Sequence, residues 1–440
     1  MKFAVALLTA SMGLAADPPL ELSLKRAVEI AVAPEGSAKV QLALEAQKQA
    51  ESRSVQSRAA LLPDLSSSFT TQNITRNLST FGLAQGFILP IPGFRIPTFV
   101  GPFTTIDARA SATQSVFDFA SIRRYQASKL GVAAARSDVN GAEEQVAAQV
   151  ARAYLAAIKA DADVDAAKAN VSLSEAVLKQ AENQKTAGTG TGIEITRAKV
   201  QLANDRQHLL VAQNARRATG LQLERAMNLR LDGDLILTDK LGYIPADATT
   251  LEAAKAAALK QRPDLQAQQE REDNARLSAN ATKLERLPSV AAFGDYGPSG
   301  TGFDSAMPTR TVGISVRIPI FDGGRREARR AESASQYRAE HVRTNDLKEQ
   351  IELDLRLALD SLQSADDQVK VAKEGLELAD NELTQARRRY DAGVAIAVEV
   401  TDAQTRLERA RDNQTAALYN YNLARIDLAQ AMGAVRRMVQ

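Results

Sequence analysis

The sequence predicts an internally duplicated α+β membrane protein. It combines long antiparallel α-helical coiled coils with four β-strands per chain that close a barrel only together with strands of other chains. Three observations predict this. The two halves match at nearly constant offset, alanine–leucine heptads run for dozens of residues, and strand segments of about ten residues alternate apolar with polar.

Composition sets the bounds. The chain has 440 residues, of which 45% are hydrophobic, enough to support a sizeable core. Its net charge of +2 gives no electrostatic case for nucleic acid. Cysteine is absent, which excludes disulfides, thiolate metal sites, cysteine nucleophiles and lipidation of an N-terminal cysteine. The opening "MKFAVALLTASMGLAAD" has a lysine, an apolar run and small residues around Ala15–Ala16, the pattern of a short secretory signal ending near residue 16. Beyond it no run approaches the ~20 apolar residues that a membrane helix requires.

The duplication is read from matched pairs. Phe117-Asp118 recurs as Phe321-Asp322, Ala187-Gly188 as Ala392-Gly393, Glu194 as Glu399, and Ala226-Met227 as Ala431-Met432. "LLPDL" at 61–65 echoes "RLPSV" at 286–290. The Gly/Pro-punctuated stretch 231–250 separates the copies. The expected division is therefore a signal peptide at 1–16, a first repeat at 17–230, a connector at 231–250 and a second repeat at 251–440. Each repeat reads as helix, strand, loop, strand, very long helix, short break and long helix.

The heptads account for the long helices. From Ile351 a 4-3 spacing runs through Leu355, Ala358, Leu362 and Ala365 to Leu383, Ala386 and Tyr390, and resumes at Val400, Ala403 and Leu407. Alanine recurs every seventh residue, and such small knobs let two helix backbones approach closely. About 66 residues from Arg325 to Tyr390 would rise roughly 100 Å. On the helices alone, a secreted or periplasmic coiled-coil scaffold or adhesin without a pore fits equally well.

The strands separate the two readings. In "TTIDARASATQSVF" (104–117), Ile106, Ala108, Ala110 and Ala112 share one face, and Thr105, Asp107, Arg109 and Ser111 the other. "TRTVGISVRIPIF" (309–321) repeats the alternation, with partner strands near 65–75 and 289–297. Segments of this length suit a membrane barrel with an apolar band outside, the alternative being a soluble hairpin with one buried face. Four strands cannot close one, and lipid tolerates no open edge.

"LSLKRAVEIA" (22–31), "LLPDL", "PIFDGGRREARR" (319–330) and "YDAGVAIAVEVTDAQTRLERAR" (390–411) together resemble the TolC-like outer membrane efflux proteins, over nearly the whole chain past the signal. The resemblance implies a homotrimer with a twelve-stranded barrel in the outer membrane and a helical tunnel in the periplasm. Such channels are passive exit ducts in efflux or type I secretion, joined by a periplasmic adaptor to an inner-membrane pump. Carried over by position, Gly188 and Gly393 become hairpin-tip glycines near adaptor contacts. Tyr390 becomes a gate tyrosine, with Glu194 the acid placed to accept its hydrogen bond. Glu399 and Asp402 become ring acids at the constriction. TolC itself carries a basic residue two places after the second tip glycine; here that position is Ala395.

No catalytic, cofactor or metal constellation is present, so no enzyme is expected. His208 and His341 each read as surface histidines in charged helical stretches. "AGTGTG" (187–192) lacks the preceding strand and the lysine of a phosphate loop. Arg387, Arg388 and Arg389 read as a solvated helix face, with adaptor contact the alternative. The segment 81–103, with five of the chain's twelve phenylalanines, reads as an outward loop, either packed on neighbours in the trimer or capping the barrel mouth.

Overall fold

The computed structural model describes residues 20–81, 98–188, 190–231, 235–245 and 250–439. The expected signal segment and residues 82–97 of the outward loop lie outside them. In chain order the elements are β1 (Leu20–Leu22), α1 (Leu24–Val32), α2 (Ala38–Ala59), β2 (Asp64–Asn77) and β3 (Phe99–Phe117). They continue with α3 (Phe119–Thr186), α4 (Gly192–Ala226), β4 (Leu235–Leu237), α5 (Leu251–Gln261) and α6 (Pro263–Leu284). Last come β5 (Ser289–Gly300), β6 (Met307–Arg317), α7 (Arg325–Asp391), α8 (Ala397–Ala431) and α9 (Val435–Val439). Two compact units result: residues 47–135 with 267–344, and the remainder, 20–46, 136–266 and 345–439. Each draws on both halves of the sequence.

The first unit holds an antiparallel sheet in the order β2-β3-β5-β6. Leu65, Phe69, Tyr296, Val312, Ile314 and Val316 share one face, and all are more than half exposed. The opposite face is polar. There Arg109 pairs with Asp107 at 3.0 Å and with Asp295, and its Nη2 donates to Thr309 at 3.2 Å. Alternation is weaker in β5 for a steric reason. Phe293 sits on the polar side, and its ring tip lies 2.6 Å from where a Cβ at residue 313 would stand, so a larger residue there would force the ring to move. Strand β6 stops at Arg317, short of the expected Phe321, because Pro319 has no N–H to continue the pairing.

The duplicated Phe-Asp pair marks where strand turns into helix. The Asp118 carboxylate accepts the N–H groups of Ala120 and Ser121 at 3.0 and 3.1 Å, capping α3. Asp322 accepts the Arg326 N–H at 3.2 Å and its Nε–H at 2.9 Å at the start of α7.

In the second unit, β1 pairs with β4 in parallel. Beside them Tyr154 is fully buried, with its hydroxyl 2.8 Å from the Leu22 carbonyl and 2.8 Å from the Asp239 carboxylate. Asp239 also accepts the Leu24 N–H at 2.8 Å, so one acid ties the connector to α1 and α3. Further along the connector, Tyr243 bonds Asp366 at 2.6 Å and packs on Tyr421 with ring centres 4.8 Å apart. Tyr421 donates to the Ile244 carbonyl at 3.0 Å, and the Asn422 amide to Gly242 at 2.9 Å. This strap over α7 and α8 has no counterpart in the heptad pattern.

The α7–α8 hairpin follows the heptads closely. Ile351, Leu355, Ala365, Val369, Ala379, Leu383 and Ala386 of α7 are buried, as are Val400, Ala403, Leu407, Ala417 and Tyr421 of α8. The intervening Leu357, Val371 and Leu378 are exposed. Ala365 packs in one cluster with Val369, Ala417, Tyr421 and Ala424. Ala365→Leu should overpack this seam at a cost of about 1–3 kcal/mol, lowering the melting temperature by several degrees, whereas Val371→Leu should leave it unchanged. Equal melting of the two variants in a calorimetric scan would show that the alanine seam is not close-packed.

Candidate functional site: the tips of the helical hairpins

The helical break at 391–397 follows from local chemistry. Gly393 adopts φ +72, where a side chain would be strained although nothing within 4 Å would clash with it. Its N–H donates to the Tyr390 carbonyl at 3.0 Å, and the next N–H, of Val394, to the Arg389 carbonyl at 3.0 Å. These two bonds form a Schellman cap that satisfies the last carbonyls of α7. Gly188, at φ +77, also lies in the left-handed region at the end of α3, with its N–H on the Lys185 carbonyl at 3.0 Å, and the Gly190 N–H reaches the Gln184 carbonyl at 3.0 Å.

Glu399 lies in the first turn of α8, where the helix N-terminus favours a negative charge. Asp402 follows one turn later on the same face. Their surroundings differ. Glu399 forms an ion pair with Arg389 Nε at 3.3 Å, reaching across the turn. Asp402 is exposed and makes no hydrogen bond or ion pair among the described residues. Arg389 therefore belongs to the acid cluster and is not merely a solvated helix face. Ala395 is partly buried against the Leu383–Tyr390 cluster, so the cation comes from the opposite side of the turn.

Tyr390 is buried, and its hydroxyl donates to Gln184 Oε1. The expected bond to Glu194 is not formed. Glu194 instead caps α4, accepting the Thr191 N–H at 2.9 Å, because the first turn of a helix has donors that need partners. It remains an electrostatic neighbour: burial, and then the Glu194 charge, push the Tyr390 hydroxyl pKa upward. Gln180 Nε2 donates to Asp391 at 2.6 Å, and Leu173 and Val177 of α3 pack against the same cluster. The ends of α3 and α7 are thus joined by two side-chain hydrogen bonds over an apolar patch. Gln184 and Arg389 were not singled out for these roles by the sequence pattern. A signal for Arg389 existed in its ten-residue spacing from Glu399, which brackets the turn.

No group of three or more His, Asp or Glu residues among those described could hold a metal ion. His208 is exposed, and His341 Nδ1 lies 2.8 Å from Glu272. Among the described residues, no helix is long and apolar enough to cross a membrane.

Residues 31–229 and 256–434 match the outer membrane efflux protein family, each span covering most of one copy of the repeated element order. The chain belongs to the outer membrane efflux protein family. It is 22% identical over 319 residues to the alkaline protease secretion protein AprF of Pseudomonas aeruginosa, covering 71% of this chain and 66% of that protein. Against the outer membrane protein TolC of Vibrio cholerae it is 21% identical, covering 65% of this chain and 67% of that one. The match thus spans about two thirds of these relatives. Among solved structures, the outer membrane protein VceC of Vibrio cholerae aligns with a TM-score of 0.77 at 18% identity, over 93% of this chain and 96% of that one. The Campylobacter jejuni CmeC outer membrane channel aligns at 0.77 and 16% identity, over 98% and 93%. Members of this outer membrane efflux family are channel proteins, and the fold of this one is theirs: a share of a trimeric barrel joined to helical hairpins. The poreless scaffold reading is not favoured.

Proposed function

We propose that three copies of the chain form a passive exit duct through the outer membrane, serving a tripartite efflux or type I secretion assembly. The carrying observation is the β2-β3-β5-β6 sheet, which has one exposed apolar face and two unpaired edge strands among the described residues. Each unpaired backbone group would cost several kcal/mol in lipid, so β2 of one chain has to meet β6 of the next. The apolar face then meets lipid, and Arg109, Asp107 and Asp295 face the lumen. Phe117, Phe119 and Phe321, all about half exposed or more at the helix-proximal end of the sheet, suit an aromatic belt at the membrane surface.

In this reading Tyr390, Glu194, Glu399 and Asp402 line the periplasmic constriction. The turns at Gly188 and Gly393 meet a periplasmic adaptor that links the duct to an inner-membrane pump. Relatives named for alkaline protease secretion and for pyoverdine export support a duct whose cargo is chosen by the pump rather than by the channel. Mass measurement and cross-linking in detergent should give a trimer that migrates faster before heating than after full denaturation. A stable monomer recovered from membranes would overturn the proposal.

A further inference from the structure

Side-chain bonds set the order of the four long helices along their bodies. The Ser174 hydroxyl donates to Asp205, and Arg206 reaches Glu175 at 2.9 Å, joining α4 to α3. Arg152 holds Asp427 at 2.7 Å and Arg411 reaches Asn170 at 3.4 Å, joining α3 to α8. Arg406 pairs with Glu382 at 2.7 Å, joining α8 to α7. The order α4-α3-α8-α7 leaves α4 and α7 at its two ends.

Both end helices carry a second apolar stripe on their outer flank. On α7 the buried Leu355 and Val369 and the partly buried Leu376 are followed two residues later by Leu357, Val371 and Leu378, all more than half exposed. Two residues turn a helix by about 200°, so these three face away from the buried seam. On α4 Ile193, Val200, Leu210 and Val211 are exposed to the same degree, while Ala198 and Leu202 are buried. Gly375 lies between Val371 and Leu378. Nothing in its own chain comes within 4 Å of where its Cβ would stand, so no internal packing requires glycine there. Glycine weakens a helix interior, and its use here fits a neighbour that approaches the backbone from outside the chain. Beside it a groove of about 890 Å³ opens between α7 and α8, with Val371, Ala372, Gly375, Ala410, Ala416 and Ala417 in its lining. The charges of the two flanks are complementary. Between residues 197 and 217, α4 carries five bases and one acid, the buried Asp205; between 360 and 380, α7 carries six acids and two bases. Arg197, Lys199 and Arg217 on α4, and Asp360, Glu374 and Asp380 on α7, make no ion pair among the described residues.

We infer that the groove seats a second copy of this chain: Leu210 and Val211 of α4 in one copy pack at Gly375 of the next, between Val371 and Leu378. The basic flank of α4 then lies along the acidic flank of α7. This joint rests on the threefold duct proposed above and names the helical surface through which its copies meet. The heights agree. The hairpin turns are level, because Gln180 bonds Asp391 and Tyr390 bonds Gln184. Leu210 stands eighteen residues from the start of α4 at Gly192, and Gly375 sixteen residues from the end of α7 at Asp391. Both therefore rise roughly 25 Å from the turns, and rotation about an axis along the helices keeps the copies level. The alternatives are opposed by charge. Two α4 flanks would set bases against bases, and two α7 flanks acids against acids, so only the mixed pair attracts. An apolar centre with charges at its rim is the usual anatomy of a stable interface.

The chain contains no cysteine, so Leu210→Cys with Gly375→Cys gives a clean pair in the full-length protein in membranes. Mild oxidation should yield covalent dimers and trimers on a denaturing gel, reversed by a thiol. Each single variant should run as a monomer on that gel. Leu210→Cys with Leu357→Cys, the latter about 27 Å farther along α7 than Gly375, should also stay monomeric. Gly375→Leu, whose Cβ meets nothing in its own chain, should lose the trimer band at temperatures where the parent keeps it. A trimer of the expected mass that does not cross-link through positions 210 and 375 overturns the inference and leaves the duct standing, the groove then being open or filled by another protein. Cross-linking of Leu210→Cys alone would mean that α4 meets α4, and overturns it too. Absence of a trimer in the parent protein removes the duct and this joint together.

Discussion

Ile314→Lys should abolish assembly in the outer membrane. Ile314 lies near the middle of β6, opposite Ala292 and between Val312 and Val316 on the exposed apolar face. A lysine at the midplane of a barrel's lipid face costs about 2–4 kcal/mol, and threefold repetition brings the total to roughly 6–12 kcal/mol, comparable with the whole stability of a typical domain. Thr311→Lys is the control. Thr311 pairs with Asp295 on the polar face, where water would solvate the ammonium. Membrane fractionation and the heat-sensitive trimer band should show Ile314→Lys lost and Thr311→Lys retained. The reverse result would mean that the two faces of the sheet have been assigned the wrong way round.

Asp402→Asn should remove most of the cation preference of the pore, whereas Glu399→Gln alone should change it little. Both acids sit one helical turn apart beside the tip, but Glu399 already faces Arg389 at 3.3 Å. An exposed pair of this kind contributes little to stability. It nevertheless cancels one charge per chain within the ~8–10 Å over which charges in ordinary buffers act. In the proposed duct the free negative charge of a threefold ring would then rest on Asp402, and such a ring attracts cations and repels anions. Arg389→Gln should therefore raise cation preference. Reversal potentials across a salt gradient in planar bilayers measure all three variants. If Glu399→Gln abolishes selectivity by itself, the Arg389 pair does not form in the open aqueous tip. If neither acid matters, the pair of carboxylates is only a solvated helix face.

The long helices and the sheet were legible because both rest on periodicity. Ile351, Leu355, Ala365 and Leu383 fall on one stripe, and the structure buries each of them. The repeated Phe-Asp was visible as a repeat, but its role as a helix cap needs geometry, since aspartate also occurs in turns and on surfaces. The parallel β1–β4 pair was not legible. Three-residue strands separated by more than two hundred positions leave no periodic trace, and the contact is fixed by Tyr154 and Asp239 rather than by pattern. At the tip, the glycines announced their turns through the need for positive φ. The partners of Tyr390 and Glu399 were not announced. Gln184 competes with Glu194 for one hydroxyl, and the helix start at Gly192 engages Glu194 first, a local preference that overrides the positional analogy.

The two sheet edges left unpaired among the described residues carry a further consequence. Joining β2 of one chain to β6 of the next is a head-to-tail contact, not a reciprocal one, so each subunit contributes two different halves of the joint. A ring built this way has no redundancy: a single chain with one spoiled edge leaves the ring open even if its other edge is intact. In a cell making equal amounts of intact and edge-spoiled chains, random mixing would leave roughly one trimer in eight complete. Inheritance of such a lesion would be dominant, because the damaged copy consumes its healthy neighbours, and the selective pressure on Asp64–Asn77 and Met307–Arg317 falls on the assembly rather than on the chain.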